Sequence, residues 1–210
     1  MIVEDLLIGA EYAVDMFYNH IGEPIILNIY HHPIPCNNNY LNVLYYTNKD
    51  LFDKFYTKLI MIFEELNRSL SICNFPIHAE FINQNDELIP VEMNPLRFGG
   101  YGLADLTYHA YQFNPFQAFV DDYKPKWSEI FKTRTDNYGW ILGYNGTDID
   151  VKKYEPNVAM YKKYLGDTLN YIEMDYTKNP VFSIAYIRRK SIEPLLDIIN
   201  IDFNEFFIKK

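Results

Sequence analysis

Two stretches, Glu11 to Asn19 and Pro24 to His32, are dense in apolar and aromatic residues and are separated by the polar turn His20-Ile21-Gly22-Glu23. Runs of this length bounded by turn residues predict two strands joined as a hairpin. Pro33 to Asn39, broken by Pro and Asn, reads as a loop. The period then changes. Leu51, Phe55, Leu59, Phe63 and Leu66 recur at intervals of three and four between Asp50 and Leu70, with Lys54, Lys58, Glu65 and Arg68 off that stripe. This spacing predicts an amphipathic helix with one face on a core. Phe75 to Asn83 and Leu88 to Asn94 predict a second hairpin around the polar residues Asn85-Asp86-Glu87. Gly99, Gly100 and Gly102 mark a loop, and Leu103 to Phe113 and Pro115 to Val120 read as helices.

From about Asp121 the segments shorten, interrupted by Pro125, Gly139, Gly143, Gly146 and Pro156. Trp140 to Leu142 and Phe182 to Ile187 read as strands, Val158 to Leu165 and Ile192 to Ile199 as helices. The expected organisation is a first unit over residues 1–122 and a small α+β appendage over 123–210. The expected fold class is α+β, an antiparallel sheet with packed helices.

Composition narrows the function. Of 210 residues 49% are hydrophobic and 17% aromatic, enough to build a core. The formal charge is −9 and the basic residues are scattered, Arg188-Arg189-Lys190 being the only short cluster, which argues against nucleic acid as a partner. The longest apolar stretch, Leu59 to Phe63, is too short for a membrane span, and the start carries acid where a signal peptide carries base. Cys36 and Cys73 form no CxxC and sit near no histidine cluster, as expected of reduced thiols in a cytoplasmic protein.

The second hairpin carries the candidate chemistry. Strand side chains alternate between faces, so Ala79, Phe81, Ile89, Val91 and Met93 are expected on an apolar face and His78, Glu80, Glu92 and Asn94 on the other. A turn centred on Asp86 sets Glu80 directly opposite Glu92. Facing carboxylates repel, and a divalent cation reverses that; two carboxylates and an amide oxygen are the kind of ligands Mg²⁺ takes. The same pattern also fits the solvent face of an ordinary antiparallel hairpin.

The runs His78-Ala79-Glu80-Phe81 and Val91-Glu92-Met93-Asn94-Pro95-Leu96-Arg97-Phe98-Gly99-Gly100 resemble the end of an ATP-grasp domain. The resemblance implies that Glu80, Glu92 and Asn94 hold the Mg²⁺ of Mg-ATP, and that Arg97 contacts the transferred phosphate or an acyl phosphate. Arg97 stands three residues after the Asn, where many members have it two after, so its target is less defined than the metal ligands. Residues Val3 to Asp15 resemble the hinge between the two halves of such a domain. There Glu4 and Leu7 would offer backbone contacts to adenine, Glu11 would take the ribose hydroxyls, and Ile82 would pack on the adenine ring. The fold implied is the C-terminal ATP-grasp subdomain. The function implied is Mg-ATP-dependent joining of a small-molecule carboxylate to an amine or similar nucleophile through an acyl phosphate.

Members of this family carry a Gly-rich loop and phosphate-holding lysines on their N-terminal side. This sequence has no counterpart, so the chain is expected to bind nucleotide incompletely alone. An N-terminal half in another chain, or self-association, is the corresponding partner expectation. The alternative is a non-catalytic nucleotide-binding or protein-interaction module, the latter suggested by 19 Tyr and 15 Phe. Trp140, Tyr144 and Arg134 are further candidates for a substrate pocket, against the plainer roles of packing and solvated surface.

Overall fold

The structure, a computed structural model, describes residues 6–34 and 42–210. Eight of the described strands build one sheet: β1 (Ala10–Tyr18), β2 (Pro24–His32), β3 (Leu44–Thr47), β4 (Phe75–Gln84), β5 (Glu87–Pro95), β6 (Asn137–Tyr144), β8 (Thr168–Glu173) and β9 (Val181–Arg189). Their order in space is β5-β4-β1-β2-β3-β6-β9-β8, and each neighbouring pair is antiparallel. Strands β7 (Tyr154–Pro156) and β10 (Phe207–Lys209) pair separately. The helices are α1 (Lys49–Leu70), α2 (Asp105–Tyr111), α3 (Pro115–Val120), α4 (Trp127–Ile130), α5 (Val158–Leu165) and α6 (Glu193–Leu196). The architecture is α+β, as the pattern predicts.

Helix α1 begins where the Asn48 side chain accepts a hydrogen bond from the Leu51 amide at 3.0 Å, and it ends at Ser71 in the left-handed conformation, φ 53°. Its apolar stripe Leu51, Phe55, Leu59 and Phe63 is buried, with Phe55 against Tyr12 and Phe63 against Phe81. Tyr18 donates to the Phe63 carbonyl at 2.8 Å, fixing the helix along the sheet.

Strand β1 lies inside the sheet and is covered on both faces, so its sequence runs nearly unbroken in apolar residues. Tyr12, Val14, Met16 and Tyr18 lie on the face under α1. Glu11, Ala13, Asp15 and Phe17 lie on the other, where Phe17 packs with Ile25, Leu27, Phe98, Ala104 and Ala118. The loop of residues 96–104 and the short helices α2 and α3 therefore cover the second face.

Residues beyond 122 supply β6, β9 and β8 to the same sheet. Glycines that read as breaks are close-packing positions in β6: a Cβ on Gly139 would meet Leu195 at 2.9 Å, and one on Gly143 the Ser183 hydroxyl. The helix expected over Ile192 to Ile199 stops at Leu196 and tightens into a 3₁₀ turn, Asp197–Asn200. Strands β3, β7, β8 and β10 carry no clear pattern; β8 is an edge strand with mostly exposed residues.

Phe63 has no exposed surface and carries both helix docking and the Tyr18 contact. Phe63→Ala is expected to lower the unfolding free energy by about 3–5 kcal/mol in a urea titration. A loss below about 1 kcal/mol would show that α1 is not docked in this way.

Candidate active site

The hairpin of β4 and β5 turns through Asn85 and Asp86, both with positive φ (53° and 64°), between the paired residues Gln84 and Glu87. This is a two-residue turn, of the kind whose twist matches the flanking strands. A regular ladder from such a turn would set Glu80 opposite Val91. Instead the register shifts between Glu80 and Phe81: Phe81 faces Pro90 and Glu80 faces Glu92, leaving Val91 as the extra residue of a bulge. The expected apolar face of β5 is corrected accordingly. Leu88 and Met93 pack toward the core, Ile89 faces Ile82 on the opposite side, and Val91 is 48% exposed.

Registers across β5, β4, β1 and β2 arrange the face opposite α1 in three cross-strand rows. The first runs Ile89, Ile82, Glu11, His32. It continues through Tyr45, whose ring stacks on His32 at 4.3 Å, to Trp140 and Tyr186. The second row runs Glu92, Glu80, Ala13, Tyr30, and the third Asn94, His78, Asp15, Asn28. Directly opposed side chains in such rows stand about 4.5–5.5 Å apart at Cβ. Glu80, Glu92, Asn94, Glu11 and Ile82 thus share one face. Glu11 is buried and contacts the His32 Nδ1 at 2.9 Å. Leu7 is half-buried beside the start of β1, and Glu4 lies outside the described residues.

Behind the glutamates is a buried ion pair that sequence reading missed in part. The alternation places His78 on the polar face of the hairpin and gives Asp15 no role. Asp15 is fully buried; its Oδ1 accepts from His78 Nδ1 at 2.7 Å and from the Gly99 amide at 2.8 Å, and its Oδ2 accepts from the Tyr30 hydroxyl at 2.8 Å. The second imidazole nitrogen lies 3.4 Å from Glu80 Oε1. Burial alone lowers the His78 pKa, but hydrogen bonds and charge from Asp15 and Glu80 outweigh it and raise the value to about 9. His78 is therefore an imidazolium at neutral pH, shared by two carboxylates. The Tyr30 pKa is driven up by burial and by Asp15, which keeps it a donor. The network extends through Thr107, Asn28, Thr47 and Tyr111, joining β2, β3 and α2. The signal available in the sequence was the acid at an inward position of an otherwise apolar strand.

Glu92 is exposed on edge strand β5 and has no ion pair among the described residues. One imidazolium is shared by Asp15 and Glu80, and Glu92 stands opposite Glu80 across the hairpin. Among the described residues no three His, Cys, Asp or Glu side chains converge as a metal cluster; the two glutamates reach three ligands only with Asn94. The Asn94 amide nitrogen is buried without a partner.

Arg97, exposed and without an ion pair among the described residues, lines a cavity of about 230 Å³ together with His78 and Glu80. The opposite wall is Tyr45, Trp140, Leu142 and Tyr144. Arg134 is not among the lining residues. The glycine loop beside the cavity is held from the far strands: Trp140 Nε1 donates to the Tyr101 carbonyl at 3.0 Å and the Tyr186 hydroxyl to the Gly102 carbonyl at 2.8 Å. Gly102 has φ +75°, and a Cβ there would meet the Tyr186 hydroxyl at 2.6 Å.

A family model described as ATP-grasp domain matches residues 1–105. The chain belongs to the ATP-grasp family. Among solved structures it is similar to an L-amino acid ligase from Bacillus licheniformis, with a TM-score of 0.64 and 14% identity over 96% of this chain and 54% of that one. It is also similar to a phosphoribosylglycinamide synthetase from Anaerococcus prevotii, with a TM-score of 0.62 and 11% identity over 98% and 54%. A biotin carboxylase–β-γ-ATP complex from Campylobacter jejuni gives a TM-score of 0.57 at 9% identity over 95% and 46%. These likenesses establish the fold, and the chain spans about half the length of each of these structures. A comparison with curated proteins gave no match.

The raised pKa of His78 makes stability depend on pH. The Asp15–His78–Glu80 interaction contributes fully below pH 6.5, the unfolded value, and is lost as pH rises through about 9. At about 1.4 kcal/mol per unit this is about 3 kcal/mol. Unfolding free energies measured from pH 6 to 9, below the range in which the buried tyrosines titrate, are expected to fall by that order in the wild type and to stay nearly level in His78→Gln. Parallel profiles for the two proteins would overturn the ion pair.

Proposed function

We propose that this chain is the Mg-ATP-binding part of an ATP-dependent ligase that activates a carboxylate as an acyl phosphate and joins it to an amine. The observation that carries the reading is the direct opposition of Glu80 and Glu92, with Asn94 one row away and Glu11 opposite Ile82 on the same face. Residues 1–122 hold the nucleotide and metal positions, and residues 123–210 supply the wall facing them.

The donor set fits the metal: two carboxylates and an amide oxygen are hard ligands, and a divalent cation offsets the repulsion between facing glutamates. Bound Mg²⁺ would neutralise phosphate charge. Arg97 adds a guanidinium that hydrogen-bonds phosphate or carboxylate oxygens in a fixed fork. Glu11 accepts from ribose hydroxyls, Ile82 and Ile89 offer adenine an apolar surface, and the hinge backbone at Glu4 and Leu7 reads the adenine edge. Phosphoryl transfer depends chiefly on positioning and charge neutralisation, so lysines from an N-terminal half, in another chain if not in this one, complete the clamp. Leu6, Ile8 and Leu96, 86%, 75% and 71% exposed, support a covering partner of that kind or a second copy. No helix among the described residues is long and apolar enough to cross a membrane.

Glu92→Gln separates the metal role from a solvent-face role. Calorimetry is expected to show Mg²⁺-dependent ATP binding weakened at least about tenfold by this change. The metal-free protein should gain about 0.2–1 kcal/mol of stability as the facing carboxylates stop repelling. ATP binding that ignores Glu92→Gln would remove the assignment. Binding without ADP formation in the presence of acid and amine pairs would favour the non-catalytic nucleotide-binding reading.

A further inference from the structure

The cavity beside Arg97 has a chemistry of its own. It holds about 230 Å³. That suits a ligand of about ten heavy atoms and falls below the usual range of drug-sized pockets. Its inner wall is built of aromatic and aliphatic side chains. Tyr45, Trp140, Leu142 and Val181 are buried side chains on three neighbouring strands. The Trp140 indole N–H is committed to the Tyr101 carbonyl, and the Tyr45 ring is stacked flat on His32.

The charged residues are few. Among the described lining residues the cations are His78 and Arg97, and the anion is Glu80. His78 is already engaged by Asp15 and Glu80. With the charge of a cation on Glu80 and Glu92 taken up by the nucleotide phosphates, Arg97 is left, and one guanidinium satisfies one carboxylate in two parallel hydrogen bonds. A sugar phosphate or a dicarboxylate brings more negative charge than this lining can meet, and its hydroxyls or second carboxylate would be desolvated against aromatic faces at a cost.

We infer that this cavity seats the carboxylate substrate, and that the substrate is a compact monocarboxylate with an apolar or aromatic body, its carboxylate on Arg97 and its body against Tyr45, Trp140 and Tyr144. The inference rests on the ligase reading above and names the class of acid that reading leaves open. Tyr144 closes the pocket from the end of β6, the strand that also carries Trp140, and is half-buried, so its ring meets the ligand without being a centre of the core.

Calorimetry on the 210-residue chain with Mg²⁺ and ATP tests it, with 3-phenylpropionate, 3-phenylpropionamide, succinate and ribose 5-phosphate as probes. 3-Phenylpropionate is expected to bind saturably, and the other three at least about tenfold more weakly. Tyr144→Ala and Arg97→Met are each expected to weaken 3-phenylpropionate by about tenfold. Arg97 is exposed, so Arg97→Met keeps the test open if Tyr144→Ala fails to fold. Succinate or ribose 5-phosphate binding as tightly as 3-phenylpropionate would overturn the inference, as would 3-phenylpropionate binding that neither variant weakens. Mg-ATP binding with no 3-phenylpropionate binding overturns the substrate class and leaves the nucleotide site standing. 3-Phenylpropionate binding by the wild type with no Mg-ATP binding supports the pocket, and the ligase reading is overturned if Mg-ATP binding is still absent once an N-terminal half carrying the phosphate-holding lysines is supplied.

Discussion

Asp15 lies in the middle of the sheet with no exposed surface, and one of its oxygens is shared by the His78 ring and the Gly99 amide. An isolated carboxylate there would cost several kcal/mol of desolvation. With His78, Gly99 and Tyr30 around it, the charge is met on every side and becomes a joint between β1, β2, β4 and the glycine loop. The consequences reach outward from that joint. His78 is held as an imidazolium, its far nitrogen faces Glu80, and Glu80 is presented toward Glu92 across the hairpin. The loop carrying Arg97 is fixed two residues away, at Gly99.

The sheet converts linear distance into short rows. Ile82 and Glu11 are far apart in the chain and directly opposed in space; so are Asp15 and His78, and Tyr45 and Trp140. Because adjacent rows are only two residues apart on each strand, the positions proposed for the base and the metal and the ion-paired positions follow in order across one face. The heavy use of tyrosine suits this arrangement. Tyr18, Tyr30 and Tyr111 are buried rings whose hydroxyls reach a backbone carbonyl, a carboxylate and a threonine respectively. Each fills core volume and satisfies a polar group at once.

Much of this was legible in the sequence where a period ran long enough: β1, β2, α1 and α5 fall close to their expected limits, and the two candidate glutamates face each other as expected. That agreement has an unexpected cause. The expected turn was centred on Asp86; the actual turn is half a residue earlier, and the Val91 bulge restores the pairing. A bulge leaves no mark in an alternating pattern of this length, which is why the assignment of Val91 and Ile89 to the core face failed while that of Glu92 held. The short strands β3 and β8 were hidden for a different reason. Four residues in a Tyr- and Asn-rich stretch, and six on an exposed edge, provide too few periods to register. His78 and Asp15 escaped because their partnership is tertiary: nothing local links two residues 63 positions apart.

The hold of Trp140 and Tyr186 on the glycine loop bears on where a functional unit ends. The family-matched segment stops at residue 105, yet the carbonyls of Tyr101 and Gly102 are gripped by strands β6 and β9. A protein trimmed to the matched segment would retain the candidate glutamates and the arginine. It would lose the anchors that aim them, and β3 would become a raw sheet edge with its ladder groups unpaired. In this fold the boundary of recognisable ancestry and the boundary of the cooperative unit are different places, and only the second yields a site that can hold its shape.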